Sequence, residues 1–175
     1  GQGYDLTTPL QVARYTGLMA TSKLATPFIA REIDGKKIKP EMNSLDFDAY
    51  YLNEIRKGMY DVCNVRGGTA YKVMSKLPIV VAGKTGTSQV TSIPQSTQKR
   101  LKEEELAYYH RSHAWITTYA PYEDPKYIVT VLVEHGGHGG STAGPIAADI
   151  YKWLYKKGYF SEGKMPLETV DNSIK

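Results

Sequence analysis

The spacing of apolar positions divides the chain into helical and extended stretches. Thr8 followed by Pro9 reads as an N-cap and first helical residue, and predicts a helix to about Thr21. Phe28 to Ile33 and Lys37 to Lys39 flank Asp34-Gly35, a hairpin turn signal. From Asp46, taken as a cap, a second helix is predicted over about 47–64. Its apolar residues Phe47, Tyr51, Ile55, Met59, Val62 and Cys63 recur near 3.6 positions and define its buried face. Val65-Arg66-Gly67-Gly68-Thr69-Ala70 then breaks the helix.

Extended patterns occupy much of the rest. Strands are predicted at about 78–90, 112–120 and 126–135, the last two joined by a turn at Tyr122-Glu123-Asp124-Pro125. Such a short turn favours antiparallel neighbours, so the three strands are expected to form one meander. Tyr127 to Val133 is apolar on both faces, the composition of a central strand. A long polar connection spans about 91–111, with seven charged residues between Lys99 and Arg111; a short helix near 101–108 is one reading of it. Gly136 to Gly140 form a glycine-rich loop. A last helix is predicted from about Thr142 to Lys157, with Pro145 in its first turn, Gly158 beyond its end, and Ile146, Ile150, Trp153 and Leu154 packed on the sheet. Residues 161–175 read as a tail after a single domain at 1–160. The fold class is α+β, an antiparallel sheet with helices packed on it.

Composition narrows the function classes. The net charge of +4 comes from 22 Lys and Arg against 18 Asp and Glu, and the basic residues are dispersed. That is ordinary solubility, and no nucleic-acid partner is expected. The single cysteine, Cys63, excludes an internal disulfide and falls on a predicted core position. No apolar run reaches the ~18 residues of a spanning helix. His110 and His113, and His135 and His138, are pairs three apart, but neither pair sits on a predicted helix. Polar contacts at strand ends are the expectation, with His113 bordering any cleft beside its strand; neither a metal nor a cofactor is expected.

The chemistry concentrates at Lys84-Thr85-Gly86-Thr87, which follows the apolar run from Pro78. On an extended strand Lys84 and Gly86 face one way and Thr85 and Thr87 the other. The segment offers a cation, two hydroxyls and a bare backbone that a ligand can approach closely. Gly83-Lys84-Thr85 also ends like a P-loop, but Pro78 stands where that pattern needs glycine, and no helical period follows Thr85. An ordinary buried strand with polar turn residues at its end would also contain such a triplet.

The surrounding segments decide between these readings. Gly1-Gln2-Gly3 with Thr8-Pro9-Leu10-Gln11, the K-T-G triplet, His113-Ala114-Trp115, Tyr119-Ala120-Pro121, Val129 to Gly137, and Ala143-Gly144-Pro145 occur in one order. In that order and at those distances the chain resembles the C-terminal part of the transpeptidase domain of class B penicillin-binding proteins, and within them the elongation-type branch, penicillin-binding protein 2. The resemblance covers roughly residues 1–158.

The resemblance implies a serine-type D,D-transpeptidase. Its substrates would be peptidoglycan stem peptides ending in D-Ala-D-Ala, with β-lactams as inhibitors. Its partner would be a membrane glycosyltransferase of the elongation machinery. Its place would be the periplasm, on an inner-membrane anchor upstream of Gly1. Lys84 and Thr87 would be catalytic residues, Lys84 supplying charge and Thr87 its backbone N–H to the oxyanion hole. Thr85, Gly86 and Thr87 would bind the substrate. The K-T-G strand would be the outer member of the sheet. Strand 126–135 would have an open edge, because its family partner comes from an earlier segment; another chain or the tail from Ser161 would cover it.

The family nucleophile motif S-x-x-K and the S-x-N serine precede the GQG segment. The strings Ser96-Thr97-Gln98-Lys99 and Ser161-Glu162-Gly163-Lys164 lie after the K-T-G strand, the wrong order, and no S-x-N string occurs. A fragment without its nucleophile, inactive alone, is therefore expected. A non-catalytic peptide- or partner-binding module of the same fold is the alternative. A serine β-lactamase fits the GQG and HAW segments less well.

Overall fold

The computed structural model describes residues 6–39, 41–90 and 102–161. Helix α1 (Pro9–Thr21) begins as predicted. The Thr8 hydroxyl accepts from the Gln11 backbone N–H at 3.2 Å, and the Gln11 side chain accepts from the Thr8 N–H at 2.8 Å. This reciprocal box satisfies two of the donors a helix start leaves open. Ser22 ends the helix in the left-handed region, φ 60°. Strand β1 (Lys23–Thr26) follows, then the hairpin β2 (Glu32–Ile33) and β3 (Lys36–Lys37), which turns at Asp34-Gly35. Both turn residues have positive φ, as a tight two-residue hairpin turn requires. Strand β4 (Glu41–Ser44) pairs antiparallel with β1. That β1–β4 ribbon was not predicted, because its two short strands carry no alternation of apolar and polar residues.

Helix α2 (Ala49–Asn64) is capped by Asp48, whose carboxylate accepts from the Tyr50 N–H at 2.8 Å, and not by Asp46. Its predicted apolar face holds only in its second half. Met59 and Cys63 are buried, but Phe47, Tyr51 and Ile55 are exposed and Leu52 is buried in their place. A short helix α3 (Tyr71–Met74), also unpredicted, leads to the strand β5 (Ala82–Ser88). The strand is shorter than the predicted 78–90. Val80 and Val81 give their carbonyls to the Tyr122 N–H and the Asn64 side chain instead of the ladder.

Strands β6 (His113–Ala120) and β7 (Tyr127–Val133) complete an antiparallel sheet in the order β5-β6-β7 among the described residues. The meander and the outer position of the K-T-G strand are as expected. β7 is the other outer strand among the described residues, with the open edge that the resemblance implied. Residues 91–101 of the long connection lie outside the described residues; its later part forms two 3-10 turns, Glu103–Glu105 and Tyr108–His110. The tail from 162 onward, with any cover it gives β7, also lies outside them.

Directly paired residues share a face of an antiparallel sheet. Ala114, Ile116, Thr118, Ala120 and Val129 face the last helix, α4 (Gly144–Lys156), and bury with Ala147, Ala148 and Tyr151, Met74 of α3 and Cys63 of α2. The opposite face meets α1 and α2. There Ala82 and Tyr119 pack with Ala20 and Met59, and the hydroxyls of Thr16, Thr117 and Thr130 form a chain of 2.8 Å hydrogen bonds from α1 across β6 to β7.

The predicted contact face of α4 needs correction. Ile146, Ile150 and Trp153 are exposed, while the small Ala147 and Ala148 lie against the sheet beside Tyr151, with Leu154 half-buried at the margin. A helix seated this close leaves room for methyl groups, and its bulkier stripe turns outward. Among the described residues no helix is long and apolar enough to cross a membrane.

Candidate active site

The site is built from β5, its neighbour β6, and two glycine-bearing turns behind them. Lys84, Thr85, Gly86 and Thr87 pair with Thr117, Ile116, Trp115 and Ala114 respectively. Lys84 and Gly86 therefore share the α1 face with Thr117 and Trp115, and Thr85 and Thr87 the opposite face, as strand alternation predicts. Lys84 is exposed, and its ammonium donates to the Thr85 carbonyl at 2.6 Å. Thr85, Gly86 and Thr87 are half-buried. All four site residues named from the sequence thus lie consecutively on an outer strand, which β6 pairs on one side only among the described residues.

The structure gives Gly86 an internal reason as well as room for a ligand. A β-carbon there would lie 3.1 Å from the Trp115 β-carbon. The turn Gly139–Ala143, which runs from the end of the predicted glycine-rich loop into the predicted start of the last helix, is a wide π-helical turn that seats directly against β5 and β6. A β-carbon on Gly139 would overlap the Trp115 carbonyl oxygen and come within 2.6 Å of the Gly86 carbonyl oxygen. One on Gly140 would overlap the carbonyl oxygen of Thr69. Thr69 in turn shares a 2.7 Å hydroxyl–hydroxyl hydrogen bond with Thr85. Thr69, Trp115, Gly139 and Gly140 are the residues that reading the sequence missed. The signal was present as paired glycines at 67–68 and 139–140, but paired glycines look the same in a free loop as in a tightly packed turn.

Two of the four histidines, His113 and His135, make polar contacts at strand ends, as expected. His113 Nδ1 accepts from the His135 N–H at 2.8 Å, and His135 Nδ1 lies 3.2 Å from the Arg111 carbonyl oxygen. The rings meet edge to face at 4.8 Å, with Tyr108 and Tyr109 against His135. His113 stands opposite Ser88, at the far end of the K-T-G strand. Among the described residues no group of three or more His, Cys, Asp or Glu is placed to hold a metal. Cys63 is fully buried, and burial pushes its thiol up to about 12. A thiol so protonated at neutral pH is a core residue, not a nucleophile. Ser96-Thr97-Gln98-Lys99 and the lysine of the Ser161 string lie outside the described residues.

An outer K-T-G strand on an antiparallel sheet, with a helix packed on one face, is the arrangement that the resemblance to penicillin-binding transpeptidases implied. The family description "Penicillin binding protein transpeptidase domain" matches residues 1–152, and the chain belongs to that family. It is 36% identical over 159 residues to the peptidoglycan D,D-transpeptidase MrdA of Haemophilus influenzae, a match covering 86% of this chain and 24% of that protein. Among solved structures it is similar to penicillin-binding protein PBP2 of Helicobacter pylori in complex with MreC, with 43% identity and a TM-score of 0.73 over 91% of this chain and 26% of that one. It is also similar to Pseudomonas aeruginosa PBP2 in complex with WCK 5153, with 30% identity and a TM-score of 0.70 over 98% and 35%. The chain spans about a quarter of the length of the curated relatives it matches.

Proposed function

We propose that this chain is the K-T-G wall of a peptidoglycan D,D-transpeptidase of the elongation type, and that the serine nucleophile comes from an earlier part of the full-length protein. One observation carries the reading: Lys84, Thr85, Gly86 and Thr87 lie together on an outer strand with a glycine turn pressed behind them. An edge of this kind accepts an extended peptide as an added strand, with side chains giving specificity.

The reaction is acyl transfer. The serine oxygen attacks the penultimate D-Ala carbonyl of a stem peptide, the C–N bond to terminal D-Ala breaks, and that D-Ala leaves as the protonated amine. An amine of a second stem peptide then attacks the acyl ester and regenerates the serine. Lys84 supplies positive charge beside the S-x-N serine and toward the substrate carboxylate. The hydroxyls of Thr85 and Thr87 donate to that carboxylate. The Thr87 backbone N–H is one of two donors aimed at the oxyanion, the nucleophile's own N–H being the other. Gly86 lets the peptide lie flat on the strand. A β-lactam enters by the same contacts and stays as the acyl ester.

The reading places the full-length protein in the periplasm, anchored in the inner membrane, with a membrane glycosyltransferase as partner. The partner, though not the location, is supported by the similarity to a chain of a peptidoglycan synthase complex that coordinates polymerization and crosslinking, at 25% identity and a TM-score of 0.67. The test is a fluorescent penicillin, applied to the full-length protein and to this chain alone and followed on a denaturing gel. The full-length protein is labelled on a serine upstream of Gly1 and the chain is not. A stoichiometric label on Ser96, Ser161 or another serine of this chain would refute the assignment.

A further inference from the structure

We infer that Thr69 is a positioning residue of the site, holding the Thr85 hydroxyl so that its proton points at the ligand carboxylate. The inference rests on the transpeptidase reading and extends it to a residue on a different segment. Thr69 Oγ1 and Thr85 Oγ1 are 2.7 Å apart. A hydroxyl has one proton to donate, and a carboxylate only accepts. With a carboxylate at Thr85, the arrangement that keeps both hydrogen bonds has Thr69 donating to Thr85 and Thr85 donating to the anion. Each hydrogen bond in such a chain polarises the next. The alternative direction, Thr85 donating to Thr69, spends the proton that the ligand needs.

The backbone holds Thr69 in place from both sides. Before it, Gly67 has φ +100° and the Gly68 N–H donates to the Val65 carbonyl at 2.9 Å; after it, the Ala70 N–H donates to the Val62 carbonyl at 3.1 Å. A β-carbon on Gly68 would collide with the carbonyl oxygens of Asp61 and Val62 at the end of α2. Across the site, Gly140 packs on the Thr69 carbonyl oxygen. The hydroxyl is thus fixed by three glycines on two separate turns, while the side chain itself is exposed. Exposure makes Thr69→Val compatible with folding.

The test compares acylation of the full-length protein by benzylpenicillin and by its methyl ester, which lacks the anionic carboxylate. Thr69→Val is expected to lower the second-order acylation rate with benzylpenicillin about tenfold, the scale of one hydrogen bond to a charged group. It should leave the ester rate near parental, and Thr69→Ser should restore the benzylpenicillin rate. In a Thr85→Val background Thr69→Val should cost nothing further, because its effect passes through the Thr85 hydroxyl. Equal losses with acid and ester, parental rates in Thr69→Val, or losses that multiply in the double variant would each overturn the inference while leaving the transpeptidase reading intact. A full-length protein that neither penicillin acylates would sink that reading first, and this one with it.

Discussion

Replacing Gly139 by alanine puts the packing behind the K-T-G strand to a direct test. The added methyl overlaps the Trp115 carbonyl oxygen and sits 2.6 Å from that of Gly86. Both obstacles are backbone atoms of paired strands, so neither can rotate aside, and relief requires the turn or the sheet to shift. Overpacking of this kind costs typically about 1–3 kcal/mol, and a clash with backbone belongs at the upper end. For a chain of this size each kcal/mol lowers Tm by roughly 2–4 °C, so Gly139→Ala should melt about 6–12 °C below the parent. Gly58→Ala is the internal control. Gly58 lies within α2, and a β-carbon there meets nothing within 4 Å. That change should stabilise by about 0.5–1 kcal/mol through helix propensity. Urea and thermal unfolding followed by far-ultraviolet circular dichroism measures both. Equal stability of Gly139→Ala and the parent would mean that the turn does not press on β5, and the structural support proposed for the site would fall.

Two further outcomes follow from the core. Thr118 Oγ1 donates to the Val129 carbonyl at 3.0 Å, so Tyr151, 3.0 Å away, donates to Thr118; Tyr151→Phe should cost about 1 kcal/mol, and Thr118→Val more, because it takes from the buried tyrosine hydroxyl its side-chain acceptor. Equal costs measured by urea unfolding would contradict that direction of donation. Burial raises the Cys63 thiol from its ordinary 9.0 to about 12, so between those values the unfolded chain loses a proton that the folded chain keeps. Stability is unaffected below pH 9 and falls above it, by up to about 1.4 kcal/mol per pH unit. The stability advantage of the parent over Cys63→Ala should therefore shrink as pH rises past 9; a constant difference would show the thiol to be less buried than described. Tyr119 and Tyr151, raised chiefly by burial, are pushed further up by the Cys63 charge in the parent alone, so they steepen the same loss instead of cancelling from the comparison.

Local chemistry was the most legible part of the sequence. Thr8-Pro9 marks the start of α1 because capping acts within four residues, and Asp34-Gly35 marks its turn for the same reason. The four site residues and their alternation were legible because a strand's period does not depend on its partners. Asp46 and Asp48 are equivalent caps on paper, and only the finished loop selects Asp48. The faces of α2 and α4 were misassigned because periodicity locates stripes but not the distance between layers. On α4 the alanine stripe faces the sheet, and Ile146, Ile150 and Trp153 do not. Thr69 and Gly139 were invisible for a related reason: their importance is a contact across distant segments, which no local pattern encodes.

Lys84 carries the proposed active site, and the decisive experiment is its substitution in the full-length protein. Lys84 is exposed and its ammonium donates only to the adjacent Thr85 carbonyl among the described residues, so the fold has little need of it. Lys84→Ala should change unfolding free energy by no more than about 0.5 kcal/mol. Its acylation by benzylpenicillin should slow by the equivalent of about 2–4 kcal/mol, the range found when a charge-stabilising donor is removed from such a site. Thr87→Val keeps its backbone N–H and should lose less. A folded Lys84→Ala protein should scarcely be acylated by penicillin; a folded variant acylated at the parental rate would rule out the role given to Lys84.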